Sequence, residues 1–278
     1  DPLTTRSGPS MAKVSLYIPV RNGANFIGEC IQSIVGQTFA DWSLTVSDNQ
    51  SSDETETIVE SFNDSRTAFC RQPHDVGMIA NFNSCIERCN STYYAILSHD
   101  DKFHSREALQ DAVALLDARE DVAIVYSNMI WIDAHSKPIA NLTLPARNLV
   151  SSDAVAKQSF LSCRNLFGVP VLLRREVVGH NRYDPRFPHT ADIAFSLAVG
   201  KGRSVFILDR PCVAIRFHRE NGTMRNFDGI LRELLMVASK HGIYLSLAER
   251  VRMFMSDRVT RVKKRIFFLY LDYRKAWQ

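Results

Sequence analysis

Tyr93-Tyr94-Ala95-Ile96-Leu97-Ser98-His99-Asp100-Asp101 is the most informative stretch of this 278-residue chain. An apolar run ending in two adjacent carboxylates predicts a central strand whose last residues leave a sheet and face a ligand. Open α/β sheets bind beyond the carboxyl ends of their strands. Neighbouring acids repel each other unless a cation or ribose hydroxyls lie against them. A hard divalent ion carrying a diphosphate suits such oxygen donors. A helix cap is the competing reading, with the pair opening a helix through Ser105-Arg106-Glu107-Ala108-Leu109.

The flanking pattern favours the strand end. Spacing and composition predict strands over 14–20, 43–47, 68–71, 93–98 and 122–127. Helical spacing is predicted over 26–35, 77–90 and 105–119, and Asp53 is expected to cap a helix with Glu54 and Glu56 in its first turn. Fourfold alternation of strand and helix predicts a mostly parallel sheet covered on both faces. Right-handed crossovers then bring the ends of strands one, two and four to one edge. Arg21, Asp48 and Asp100-Asp101 are therefore expected in one cleft. The second half is less regular. It reads as a polar loop over 134–152, a helix over 154–161, a strand over 169–173, a helix over 193–200, strands over 204–208 and 212–217, and helix from Gly229 onward.

At 45% hydrophobic, 23% charged and net charge +4, the chain is an ordinary globular protein, either one large domain or a domain with an appendage. The charge gives no reason to expect nucleic acid. No apolar run reaches the ~18 residues a membrane span needs. Asp1–Ser10 is polar and reads as an expression remnant, with Met11 as the native start. Six cysteines include no C-x-x-C pair, and Cys85 with Cys89 lacks a second zinc pair. They read as buried thiols of a reducing cytoplasm. The absence of G-x-x-x-x-G-K-[ST], G-x-G-x-x-G and G-x-S-x-G patterns argues against ATPase, dehydrogenase and α/β-hydrolase chemistry.

Four fragments, in order and spacing, carry a resemblance. They are Val14-Ser15-Leu16-Tyr17-Ile18-Pro19-Val20-Arg21-Asn22, Val46-Ser47-Asp48 through Asn49-Gln50-Ser51-Ser52-Asp53-Glu54-Thr55, Gly77-Met78-Ile79-Ala80-Asn81-Phe82-Asn83-Ser84-Cys85-Ile86, and Ser98-His99-Asp100-Asp101. Together they resemble family 2 glycosyltransferases over about residues 14–217. The resemblance implies a GT-A (Rossmann-like) fold, a mostly parallel sheet flanked by helices, a nucleotide-sugar donor, and inversion at the anomeric carbon. It further implies nucleotide contacts from Pro19, Val20, Arg21, Asp48, Asn83 and Asp100. Asp101 would be a metal ligand and Mn2+ or Mg2+ the cofactor. Asp48 could equally form an Asx-turn opening its polar loop, and Arg21 could be a solvated turn residue.

Asp192 is the candidate general base, since the attacking hydroxyl must lose its proton as the bond forms. The family's usual Glu-Asp pair is Ala191-Asp192 here. An acid in a helix's first turn is also favoured by the dipole alone. Asp184 and Glu220 are the nearest substitutes. Arg216-Phe217-His218, followed by Asn221 and Thr223, resembles a late Arg-x-His segment whose histidine reaches metal or diphosphate. A structural hydrogen bond is the plainer role for His218.

From Arg258 to Gln278 seven basic residues face one acid, leaving the rest of the chain near −2. Val259, Val262, Ile266 and Tyr273 lie at helical spacing. This fits either a basic amphipathic helix on an anionic membrane or a helix packed on the body or in a homodimer. The sequence thus divides into a remnant (1–10), a transferase domain (11–226) and a C-terminal helical extension (227–278). The transferase domain has a nucleotide-binding half of about 11–133 and an acceptor half of about 134–226. The expected partners are a nucleotide-sugar, UDP-linked as the first choice, and a glycan or lipid-linked acceptor, met in the cytoplasm or at the membrane's inner face. A sugar-phosphate nucleotidyltransferase and a catalytically silent nucleotide-sugar-binding module are the alternatives.

Overall fold

A computed structural model of the chain describes residues 12–144, 148–162, 165, 169–218 and 229–259. Strand β1 (Val14–Val20) is buried along its whole length, as expected where helices cover both sheet faces. It pairs in parallel with β2 (Trp42–Asp48) on one side and β4 (Tyr93–Ile96) on the other. β3 (Thr67–Arg71) continues the parallel order beyond β2. Helix α1 (Ile27–Val35) presents Ile27, Cys30, Ile31 and Ile34 to the core at helical spacing. Helices α2 (Thr55–Ser61), α3 (Met78–Arg88) and α4 (Ala108–Ala118) make the other crossovers.

Beyond β4 the sheet departs from simple alternation. β5 (Lys102–Phe103) is two residues long, and β6 (Val122–Ile132) runs eleven, five beyond the expected end. The segment expected to be a loop holds β7 (Pro138–Leu142), antiparallel to β6, and β8 (Asn148–Ser151). Helix α5 (Ser152–Ser162) follows. β9 (Leu172–Arg174) then inserts antiparallel to both β4 and β6, so β6 keeps the direction of β1–β4. After the short α6 (Arg175–Val178) and α7 (Ala191–Gly200), β10 (Ser204–Arg216) pairs in parallel with β6. Among the described residues the sheet has ten strands, in the order β3-β2-β1-β4-β9-β6-β10-β5, with β7 on β6 and β8 on β10. This is the expected α/β sheet flanked by helices.

Two local expectations are corrected. The two short strands over 204–208 and 212–217 are one strand, broken in register around Asp209-Arg210-Pro211, where proline cannot donate to the ladder. The cap position of α2 is Glu54, one residue after the expected Asp53, whose carboxylate still satisfies the helix's first N–H, from Thr55 (3.1 Å), and also accepts Thr55 Oγ1–H (2.5 Å) and Ala24 N–H (2.9 Å), tying α2 to the β1–α1 turn. α8 (Ile230–Lys240) and a helix over 247–259 form the described part of the extension. Asp1–Ser10, Met11, Glu220, Asn221, Thr223 and the tail from residue 260 lie outside the described residues.

Candidate active site

The carboxyl rim of β1, β2 and β4 is stitched by its loops. Asn22, at φ 54°, turns the chain after β1. Its side-chain oxygen accepts Ser52 N–H (2.9 Å), and its own N–H donates to Ser51 Oγ (2.8 Å). Gly23 must be glycine: a Cβ there would stand 2.4 Å from Val20 Cγ2 and 2.8 Å from His99 Cδ2. The β1–α1 turn is thereby pressed against the segment leaving β4.

That segment closes a tight turn, with Asp101 N–H donating to Ser98 C=O at 3.0 Å. β10 ends directly against it. Arg216 N–H donates to Asp101 Oδ1 (2.9 Å), and Arg216 Nε–H donates to the Asp100 carbonyl (2.9 Å). The Arg216 guanidinium also donates to the carbonyls of Asp133 and Ala134, to Ser136 Oγ and to Glu29 Oε2. It lies 4.8 Å from the centre of the Phe26 ring. His218 packs against Phe26 with the rings tilted by 49° (4.7 Å between centroids), and its Nε2 sits 3.0 Å from Asp100 Oδ2. Arg216 is fully buried, so this clamp is rigid.

The two acids are driven apart electrostatically. Burial and the Asp100 charge push Asp101 well above the usual carboxylate range. Burial also opposes ionisation of Asp100, but its His218 hydrogen bond and the nearby His99 outweigh that and hold it low. Adjacent carboxylates with opposed shifts are typical of sites awaiting a cation or proton. Glu29 is depressed to about 2: burial works against it, while Lys102, Ser136 and Arg216 more than compensate.

The remaining candidates fall into two further groups. Asp48 is fully buried, receiving Ser51 N–H (3.1 Å), three residues on rather than the two of an Asx-turn, and Arg71 Nε–H (2.9 Å). Arg71 lies opposite it in the β2–β3 register and remains 38% exposed. Pro19 and Val20 are buried strand residues, and the Val20 carbonyl accepts Asn49 N–H (2.8 Å) rather than facing outward. Arg21 pairs with Asp75, which also receives Asn49 Nδ2–H at 2.7 Å. Asn83 stands apart from this rim. Its amide clamps the Tyr183 backbone in both directions, at 3.0 and 2.8 Å.

Asp192 occupies the first turn of α7. It accepts Asn165 Nδ2–H (2.5 Å) and Ile193 N–H (2.8 Å). Its side chain reaches solvent, yet the surrounding protein makes the charged form costly and raises it above the ordinary carboxylate range against both bonds. Its charge is felt at Tyr183 and Tyr126. No direct contact among the described residues joins it to Asp100 or Asp101. The fallback Asp184 is tied to Arg186 and Lys240. Sequence reasoning missed Glu29, Arg71 and Asp75, none of which sits in a recognisable local pattern. Arg216 was visible only as a neighbour of His218.

The paired acids at the carboxyl end of β4 stand where open α/β sheets bind their ligands. The chain belongs to glycosyl transferase family 2, whose model matches residues 15–180. The fold is GT-A: the Staphylococcus aureus TarS 1–349 structure in complex with UDP-GlcNAc superposes with TM-score 0.68 at 15% identity, covering 86% of this chain and 69% of that one. The mannosyltransferase PcManGT from Pyrobaculum calidifontis, in complex with GDP-Man and Mn2+, gives 0.55 at 14% identity over 96% and 83%. An Escherichia coli UDP-Glc:alpha-D-GlcNAc-diphosphoundecaprenol beta-1,3-glucosyltransferase, WfgD, is 24% identical over 69% of this chain and 71% of its own. The chain spans only about a third of the length (31–38%) of the Rickettsia relatives it matches, which are described as uncharacterized glycosyltransferases.

Proposed function

We propose that this chain transfers one sugar from a nucleotide diphosphate donor, UDP-linked as the first choice, to a hydroxyl of a glycan or lipid-linked acceptor, with inversion at the anomeric carbon. The observation that carries this reading is the acid pair at the end of β4, clamped by Arg216 and His218 from more than 110 positions away. Asp100 is assigned to the ribose. Arg71, oriented by the buried Asp48, and Arg21 at the rim are assigned to the base. The buried Pro19 and Val20 serve by carrying Arg21 to that rim. Asn83 is assigned instead to holding the Tyr183 loop.

Asp101 and His218 are the residues that would hold Mn2+ or Mg2+. A carboxylate suits either ion, and the imidazole tilts the choice towards manganese. Among the described residues no group of three or more His, Cys, Asp or Glu is placed to hold a metal ion, so the chain itself would supply few of the donors. The remaining donors would be diphosphate oxygens and water, the usual arrangement for such ions. When bound, the ion neutralises charge on the departing diphosphate.

Asp192 takes the acceptor's proton. Its raised affinity for protons strengthens it as a base, and Asn165 fixes the carboxylate's orientation. We assign about 11–133 to donor binding, about 134–226 to the acceptor, and 227–278 to an extension. No helix among the described residues is long and apolar enough to cross a membrane. The name of WfgD supports an acceptor linked to diphosphoundecaprenol, so the reaction is assigned to the inner membrane face.

A thermal-shift screen of UDP and GDP with and without manganese tests the donor site, because ligands that bind only the folded state raise the melting point. Donor turnover by Asp192→Asn should fall by ~100-fold or more. Equal nucleotide release by variant and parent would remove Asp192 from the base role.

A further inference from the structure

The outward face of the helix over 247–259 has no covering element among the described residues. Leu247 (80% exposed), Val251 (55%), Phe254 (48%), Met255 (59%) and Val259 (50%) lie on it at spacings of three, four and one. Tyr244, 92% exposed, adjoins its start. At ~100° per residue these five side chains span about 140°, roughly two-fifths of the circumference. The exposed Arg250 and Arg252 flank the stripe on either side, and Arg258 lies within it, 5.1 Å from the Phe254 ring. Both acids of the helix point the other way: Asp257 is buried, and Glu249 pairs with Lys157 at 2.9 Å. Met253 anchors that inner side in the core.

We propose that this face lies on an anionic lipid surface, with the apolar stripe entering the acyl boundary and Arg250, Arg252 and Arg258 meeting headgroup phosphates. An apolar stripe bordered by cations and free of acids is the signature of an interfacial helix, and basic side chains gain from negatively charged leaflets. A second copy of the chain fits less well. A two-fold contact would bring the three arginines of each copy towards those of the other with no acid between them. The inference rests on the proposed lipid-linked acceptor, since it brings the enzyme to the surface where that acceptor resides.

The test is co-sedimentation of the full chain with phosphatidylglycerol-containing vesicles, beside pure phosphatidylcholine vesicles and at two salt concentrations. Two variants accompany it: Leu247→Ser/Phe254→Ser/Met255→Ser, and Arg250→Gln/Arg252→Gln/Arg258→Gln. These side chains are exposed, so the parent's melting point should be kept. Binding to anionic vesicles that weakens in high salt and falls at least ~10-fold in each variant supports the proposal. It is overturned if the parent ignores anionic vesicles, if the triple-serine variant binds as well as the parent, or if the parent is a dimer that the serine variant converts to monomer. UDP binding measured on the same samples reports on the transferase reading separately: its loss with vesicle binding intact would sink that reading alone.

Discussion

Replacing Arg216 by methionine should separate the clamp from the chemistry. The guanidinium is fully buried and donates to three backbone carbonyls (Asp100, Asp133, Ala134), to Ser136 Oγ and to Glu29. A part-buried acceptor left without a donor costs ~1 kcal/mol, the low end of the range for fully buried groups. Three such carbonyls give ~3 kcal/mol. The Glu29 pair adds under ~1 kcal/mol because that carboxylate is 45% exposed. Methionine restores some apolar contact with Phe26, so the net loss should be ~3 kcal/mol. Urea unfolding at neutral pH reads this as a lowered midpoint at constant slope. The backbone bond from residue 216 to Asp101 survives the change, so Asp101 keeps one anchor. The turn over 98–101 and the segment over 133–136 lose theirs, and UDP affinity should drop about tenfold, a ~1.4 kcal/mol effect. Arg216→Lys keeps the charge but not the fork, and should fall between. An Arg216→Met protein within ~1 kcal/mol of the parent, binding UDP equally tightly, would refute this account of the clamp.

Asp101→Asn should leave the ligand-free protein as stable as the parent or more so at neutral pH, because the buried carboxyl is held above its usual range and its ionisation there opposes folding; melting curves and donor turnover should show kept stability with turnover reduced ~100-fold or more. Glu29 sits low, at about 2 against an ordinary 4.5, so its contribution is present above the unfolded value and fades as pH falls between those two points. The stability gap between parent and Glu29→Gln should close across that window, and a gap constant down to pH 2 would contradict it. Asn83→Ala should lose ~1–3 kcal/mol by freeing the Tyr183 backbone while leaving UDP affinity unchanged; isothermal titration beside urea unfolding distinguishes this from a nucleotide contact.

The acid pair and its place at a strand end were legible because they depend on nearest neighbours. Burial of β1 and β4 writes continuous apolar runs, α1 writes a 3.6-residue period, and an abrupt change to carboxylates marks where a strand leaves the sheet. The order of those segments was enough for the fold class and for placing β2, β1 and β4 side by side in parallel, with their carboxyl ends on one edge. The same local signals misread 134–152, whose polar edge strands β7 and β8 are mostly exposed and so carry no apolar alternation. They also split β10, where Pro211 marks a bulge rather than an end.

What each site side chain touches was decided only in three dimensions. β9 enters antiparallel between β4 and β6, and this brings distant segments into register. Arg216 meets Asp101 across 115 positions, Asn83 meets Tyr183 across 100, and Arg71 meets Asp48 across the β2–β3 ladder. A periodic pattern states that a residue faces inward. It does not state which partner waits there, because that is fixed by strand order and register, and these follow from packing the whole sheet at once.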